Sequence, residues 1–162
     1  MQALGRYTLG GIMSNDTRLS SDLPTRLLGT WRMLSWKRVL VSSGEELDAL
    51  GPNPFGYISY APDERLMVFV LKSGRPKPKS SPPSPEEKIA LFDSLFAYVG
   101  SYEVLADRVI HTLDGSWNEL WTGTKQTRLL SFSGENLIYT TPETVDPMDG
   151  RLCTYRVEFE RA

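Results

Sequence analysis

The chain is short of the residues from which disulfides, metal sites and nucleic-acid faces are built. It has one cysteine, Cys153, so no disulfide can form within it, which fits a reducing, cytoplasmic setting. Cys153 shares strand parity with Tyr155, Val157 and Phe159, a place for a small inert hydrophobe rather than a nucleophile. It also has one histidine, His111, so the ordinary ligand sets of zinc, iron and copper cannot be assembled. No Asp-x-Asp-x-Asp loop offers a calcium site. No metal or other cofactor is expected. Neither sign of charge dominates: 18 Lys and Arg oppose 20 Asp and Glu, for a net charge of −2. Nucleic acid is therefore not an expected partner, because phosphate binding needs a concentrated basic face. The densest basic run, Lys72 to Lys79, is broken by prolines and reads as a solvated loop. No apolar run approaches the roughly 18–20 residues of a membrane span. Met1 to Met13 holds no compact apolar segment, so no signal peptide is expected there. Neither a Gly-x-Gly-x-x-Gly phosphate loop nor a Gly-x-Ser-x-Gly nucleophile elbow occurs.

What is present suits one globular domain. At 162 residues, with 40% hydrophobic and 23% charged residues, the chain can bury a core without staples. Residues 1–22 are polar and rich in Gly, Ser and Asn, and read as a flexible tail. Residues 23–162 read as the domain. A short helical turn is expected at Asp22–Leu28, ended by Gly29. Strands are expected at about 30–41, 57–60, 66–71, 99–105, 108–114, 121–133, 136–141 and 151–160. Residues 42–55 and the proline-rich 73–85 read as loops. One helix interrupts the strands: Ser84 caps it, Pro85 takes its first position and Glu87 completes a capping box. Ile89, Phe92, Phe96 and Val99 follow at helical spacing, predicting a helix over 85–97 with an apolar stripe. About eight sequential strands with short links favour a closed antiparallel up-and-down barrel, which leaves no exposed edge. An eight-stranded barrel holds side chains or one small ligand.

Strand parity sorts the faces. It turns Val109, His111 and Leu113 inward, with Gln126, Arg128, Leu130 and Phe132 on the next strand. It also sends Tyr98, Tyr102, Leu137 and Tyr139 inward. In 65–71 both faces are largely apolar and parity is ambiguous. The interior is thus apolar with a polar minority of His111, Gln126, Arg128 and tyrosines. A guanidinium placed there needs partners, either within the barrel or on a ligand.

Leu27-Leu28-Gly29-Thr30-Trp31-Arg32 resembles the Gly-x-Trp start of the lipocalins and other calycins. Gly56-Tyr57-Ile58-Ser59-Tyr60-Ala61-Pro62-Asp63, then Arg65-Leu66-Met67, resembles the second hairpin of the bacterial and fungal lipocalin-like domain family. Tyr98-Val99-Gly100-Ser101-Tyr102-Glu103, His111, Gly123-Thr124-Lys125-Gln126-Thr127-Arg128 and Phe159-Glu160-Arg161 continue the pattern in order. The resemblance spans about 23–162. It implies an eight-stranded calycin barrel in which Trp31 plugs one end and Arg161 packs over it, both structural residues. Glu64 stands at a turn position where the family usually has Gly. Barrels of this kind recur as cyclases and isomerases of natural-product biosynthesis, that is, of secondary metabolism.

Three functional readings follow, and the sequence leaves all of them open: an enzyme, a carrier, and a stress-associated or structural barrel with no cavity. In the first, the barrel is a cofactor-independent cyclase or isomerase acting on a hydrophobic, oxygenated, polyketide- or terpenoid-like molecule. Arg128 and Gln126 would donate hydrogen bonds to an oxygen, and His111 or a tyrosine, Tyr102 among them, would move a proton. His111, Arg128 and Tyr102 are its catalytic candidates. Tyr57, Met67, Phe69, Tyr98, Trp117, Trp121, Gln126 and Tyr139 are candidates to bind the substrate. In the second, the barrel is a non-catalytic carrier of a lipophilic small molecule and the polar groups only order its interior. A homodimer is compatible with any of them.

Overall fold

In the computed structural model, residues 16–147 and 149–162 are described; the first fifteen residues of the expected tail lie outside them. Helix α1 spans Asp16–Leu27, so residues 16–22 continue the helix expected only from Asp22. Ten strands follow: β1 (Gly29–Leu40), β2 (Glu46–Asp48), β3 (Phe55–Tyr60), β4 (Arg65–Leu71), β5 (Leu95–Val104), β6 (Arg108–Ser116), β7 (Lys125–Ser133), β8 (Asn136–Thr140), β9 (Thr144–Val145) and β10 (Leu152–Arg161). Helix α2 (Pro85–Asp93) lies between β4 and β5, and a 3-10 turn, Glu119–Trp121, between β6 and β7.

Every barrel strand pairs antiparallel with its chain neighbour, and β1 closes on β10. The result is a closed eight-stranded antiparallel barrel. The short β2 and β9 add outside the ring, to β1 and β10. They explain the polar stretches around 46 and 144, which carry too little apolar residue to announce a strand.

The interior is set by parity. Ile58 and Tyr60 on β3, Val68 and Val70 on β4, Tyr98 on β5, Val109, His111 and Leu113 on β6, and Leu137 and Tyr139 on β8 are all buried. Two irregularities shift that parity. Between Met33 and Ser35 the β1–β10 register slips, so Trp31 and Met33 point in before the slip, while Trp36, Arg38 and Leu40 do so after it. Between Val99 and Gly100 the β5–β6 register slips too. There the strands close so tightly that a Cβ on Gly100 would come 2.0 Å from the Thr112 carbonyl oxygen.

The end of the barrel near the N-terminal helix is sealed. Leu27 of α1 is fully buried, and its carbonyl oxygen accepts a 2.8 Å hydrogen bond from the Trp31 indole N–H. The Arg161 guanidinium lies 3.9 Å over the Trp31 ring and donates to the backbone carbonyls of Leu28 and Arg26. Arg26 in turn stacks 3.7 Å over Phe132.

Helix α2 corrects the sequence reading. Its capping box forms: Ser84 Oγ accepts from the Glu87 N–H, and the Glu87 carboxylate accepts from the Ser84 N–H. It stops at Asp93 instead of running to 97, and it buries none of its residues, with Ile89 and Phe92 exposed. Phe96 and Val99 belong to β5, where Phe96 points in and Val99 out. Pairing of Leu95 and Phe96 with Leu71 and Val70 of β4 outweighs a helical stripe that had no surface to pack against.

Candidate functional site

A cavity of about 460 Å³ opens at the end opposite Trp31, within the usual range for a small-molecule site. One wall is aromatic: Phe96 stands 4.6 Å from both Trp36 and Trp117, and Trp117 stands 5.3 Å from Trp121, ring centre to ring centre. Tyr98, Gln126, Arg128 and Tyr139 line it further in. Residues 141–147 and Asp149 line one side of the rim, and Arg38 forms ion pairs with Asp146 and Asp149 there. The Tyr155 hydroxyl donates to Asp146 at 2.8 Å.

Behind the lining runs a buried hydrogen-bonded chain. His111 is fully buried and contributes both ring nitrogens: Nδ1 lies 2.8 Å from the Tyr98 hydroxyl and Nε2 lies 2.7 Å from the Tyr60 hydroxyl. The Tyr60 hydroxyl is hydrogen-bonded in turn to that of Tyr139. The order is therefore Tyr98, His111, Tyr60, Tyr139. Its two ends line the cavity, whereas His111 and Tyr60 do not. A neutral imidazole has one donor and one acceptor nitrogen, so every hydroxyl in the chain points the same way round, in one of two senses.

Electrostatics keep this chain neutral. Burial, with the Arg128 charge adding to it, holds the His111 pKa well below its usual 6.5. Burial pushes the Tyr60 and Tyr139 hydroxyls well above 10 and raises that of Tyr98, while the nearby Arg128 guanidinium counters part of each rise. Arg128 is thus within electrostatic reach of all four groups.

The structure brings His111, Arg128, Tyr98, Trp117, Trp121, Gln126 and Tyr139 to the cavity or directly behind it. It separates four other candidates. Tyr102 turns inward and packs edge-on against the Tyr60 ring, 4.8 Å between ring centres, but its hydroxyl does not join the hydrogen-bonded chain; it donates to the Ala61 carbonyl at 2.8 Å, which fits a brace for the β3–β4 turn. Tyr57, Met67 and Phe69 sit on the outer face, Met67 at 64% exposure, because Leu66, Val68 and Val70 take the inward parity of β4. Trp36 and Phe96 of the aromatic wall were missed, as were Tyr60 and Arg38. Tyr60 shares parity with Ile58, opposite the polar Ser59, and that alternation was a usable signal. Arg38 points in only because of the β1 register slip, which no residue type announces. Among the described residues no group of three or more His, Cys, Asp or Glu side chains is placed to hold a metal. No helix among them is long and apolar enough to cross a membrane.

A closed antiparallel barrel with an apolar cavity, a few convergent polar groups and one sealed end is the architecture of a small-molecule-binding barrel. The model of a lipocalin-like domain matches residues 28–155, and the chain belongs to that family. No curated protein matches it.

Proposed function

We propose that the barrel is a cofactor-independent isomerase or cyclase that moves a proton between two positions of a hydrophobic, oxygenated small molecule. The observation that carries this reading is the chain Tyr98–His111–Tyr60–Tyr139, whose two ends both line the cavity.

In one sense of the chain, the Tyr139 O–H points to the ligand and Tyr98 offers it a lone pair. Tyr139 gives its proton to the substrate and is refilled from Tyr60. Tyr60 is refilled from Nε2 of His111, Nδ1 takes the Tyr98 proton, and Tyr98 takes a proton from the substrate. Protons balance, no group ends charged, and the imidazole has exchanged one tautomer for the other. Groups too weak to ionise singly can work in concert because no separated charge develops. Gln126 and Arg128 supply donors for a substrate oxygen as electron density shifts onto it. The aromatic wall excludes water and orients a flat skeleton.

A test uses 2-tetralone, an apolar enolisable ketone, in deuterium oxide. The enzyme reading expects bound 2-tetralone to exchange its α-hydrogens faster than in buffer, with Tyr98→Phe and Tyr139→Phe each abolishing the acceleration. Binding without acceleration in the unaltered protein would leave a carrier, a reading favoured by the fact that the hydroxyls and imidazole already satisfy one another.

A further inference from the structure

Arg128 differs from the other cavity arginine. Arg38 is held by two carboxylates, Asp146 and Asp149. Arg128 lines the cavity on the inward side of β7, and among the described residues no carboxylate forms an ion pair with it. Its donors there meet the Thr127 carbonyl, at 3.1 Å from a terminal N–H, and the Tyr98 hydroxyl. A guanidinium has five N–H donors and remains charged. Left half-buried beside Tyr98 and Tyr139, it retains most of its donors and all of its charge for something else. The carboxylates that line the cavity do not supply the need: Asp93 and Glu143 are exposed at the rim, and Asp146 and Asp149 face Arg38.

We infer that the occupant is an anion, a mostly apolar molecule whose one ionised oxygen group completes the ion pair that Arg128 lacks. This rests on the cavity being a ligand site and adds its charge. The charge-assisted contact also fits the proposed chemistry, since a carbonyl oxygen that gains electron density during proton transfer is stabilised by the same guanidinium.

The test compares two fluorescent molecules with one skeleton, 8-anilinonaphthalene-1-sulfonate, an anion, and N-phenyl-1-naphthylamine, which is neutral. Affinities are measured by calorimetry, with competition to show that the two displace each other. The expected result is mutual displacement, with the sulfonate bound about tenfold tighter or more. Arg128→Gln should remove that preference and leave the amine's affinity within about twofold, while Arg128→Lys should keep most of the preference. Equal affinities in the unaltered protein overturn the inference, as does a preference that survives Arg128→Gln. If Arg128→Gln does not fold, the unaltered pair and Arg128→Lys decide by the same criteria. Equal affinities alongside accelerated 2-tetralone exchange would remove the charge assignment alone. Binding of neither molecule would remove the ligand site, and both readings with it.

Discussion

Nδ1 of His111 lies 2.8 Å from the Tyr98 hydroxyl, inside a barrel wall that gives the imidazole no water to share a charge with. Protonating it would make both ring nitrogens donors, and burial already holds its pKa well below 6.5. The unfolded chain takes up that proton near pH 6.5 and the folded chain does not, so the unfolded state binds more protons and stability rises with pH. The contribution is complete above about pH 6.5 and falls by about 1.4 kcal/mol per unit as pH drops below it. Asp149, held down to about 2 chiefly by its hydrogen bonds from Arg151, loses its own contribution only below about pH 4. Urea denaturation between pH 7.5 and 5 should show the slope, and His111→Gln should flatten it. Because the chain has a single histidine, no other imidazole can supply the change.

Tyr60 separates a relay from two independent tyrosines. Tyr60→Phe leaves both cavity-lining ends, Tyr98 and Tyr139, in place and removes the oxygen that joins His111 to Tyr139. It should cost about 1–3 kcal/mol, because Nε2 and the Tyr139 hydroxyl lose a buried partner. Deuterium exchange into 2-tetralone should fall to the buffer rate while 2-tetralone affinity stays within about twofold. Exchange that survives in a folded Tyr60→Phe variant would mean that Tyr98 or Tyr139 acts alone. Tyr102→Phe, which loses only the bond to Ala61, should cost about 1 kcal/mol and leave exchange untouched.

The barrel was legible because its signals are local and repeated: alternation on β6, β7 and β8, the turn at Ser133-Gly134, and a sequential strand order; Asp114-Gly115, which reads as a turn, instead lies within β6, where Gly115 pairs with Val99. The inward turn of His111 follows from Val109 and Leu113 beside it. The boundary near residue 95 was not legible, since Ile89, Phe92, Phe96 and Val99 satisfy a helical period although the last two pair in a sheet. Nor was the outward turn of Met67 and Phe69, because β4 is apolar on both faces and only its pairing decides which is buried. The four members of the hydrogen-bonded chain lie on four different strands, β5, β6, β3 and β8, a long-range relation that alternation within one strand cannot express.

Glu64 occupies backbone that favours glycine. Its φ is 62°, the left-handed region where a Cβ is strained. Its carbonyl accepts from the Tyr102 N–H at 2.9 Å, so the conformation is fixed by the β4–β5 side of the barrel. Glu64→Gly keeps that bond and relieves the strain, at the cost of a freer unfolded chain. A net gain of about 0.5–1 kcal/mol is expected, read as a higher midpoint in thermal unfolding. An unchanged or lower midpoint would show that the entropy of the added glycine outweighs the relieved strain.

Trp31 joins the barrel to α1 through two contacts of different kinds, and substitutions can separate them. Trp31→Phe keeps an aromatic face under Arg161 but removes the indole N–H, leaving the buried Leu27 carbonyl without its 2.8 Å partner and a gap in the core. A loss of about 2–4 kcal/mol is expected from the orphaned acceptor and the lost volume together. Arg161→Met keeps an apolar cover over the ring while removing the charge and the donors to the Leu28 and Arg26 carbonyls. That should cost about 1–2 kcal/mol. If Arg161 acts as a clasp on the end of α1, its loss should also speed hydrogen exchange at the amides of Leu27 and Leu28, while amides beside the cavity, such as those of Lys125 and Gln126 at the start of β7, keep their protection. Uniform loss of protection in Arg161→Met would instead make the seal a general contributor to stability.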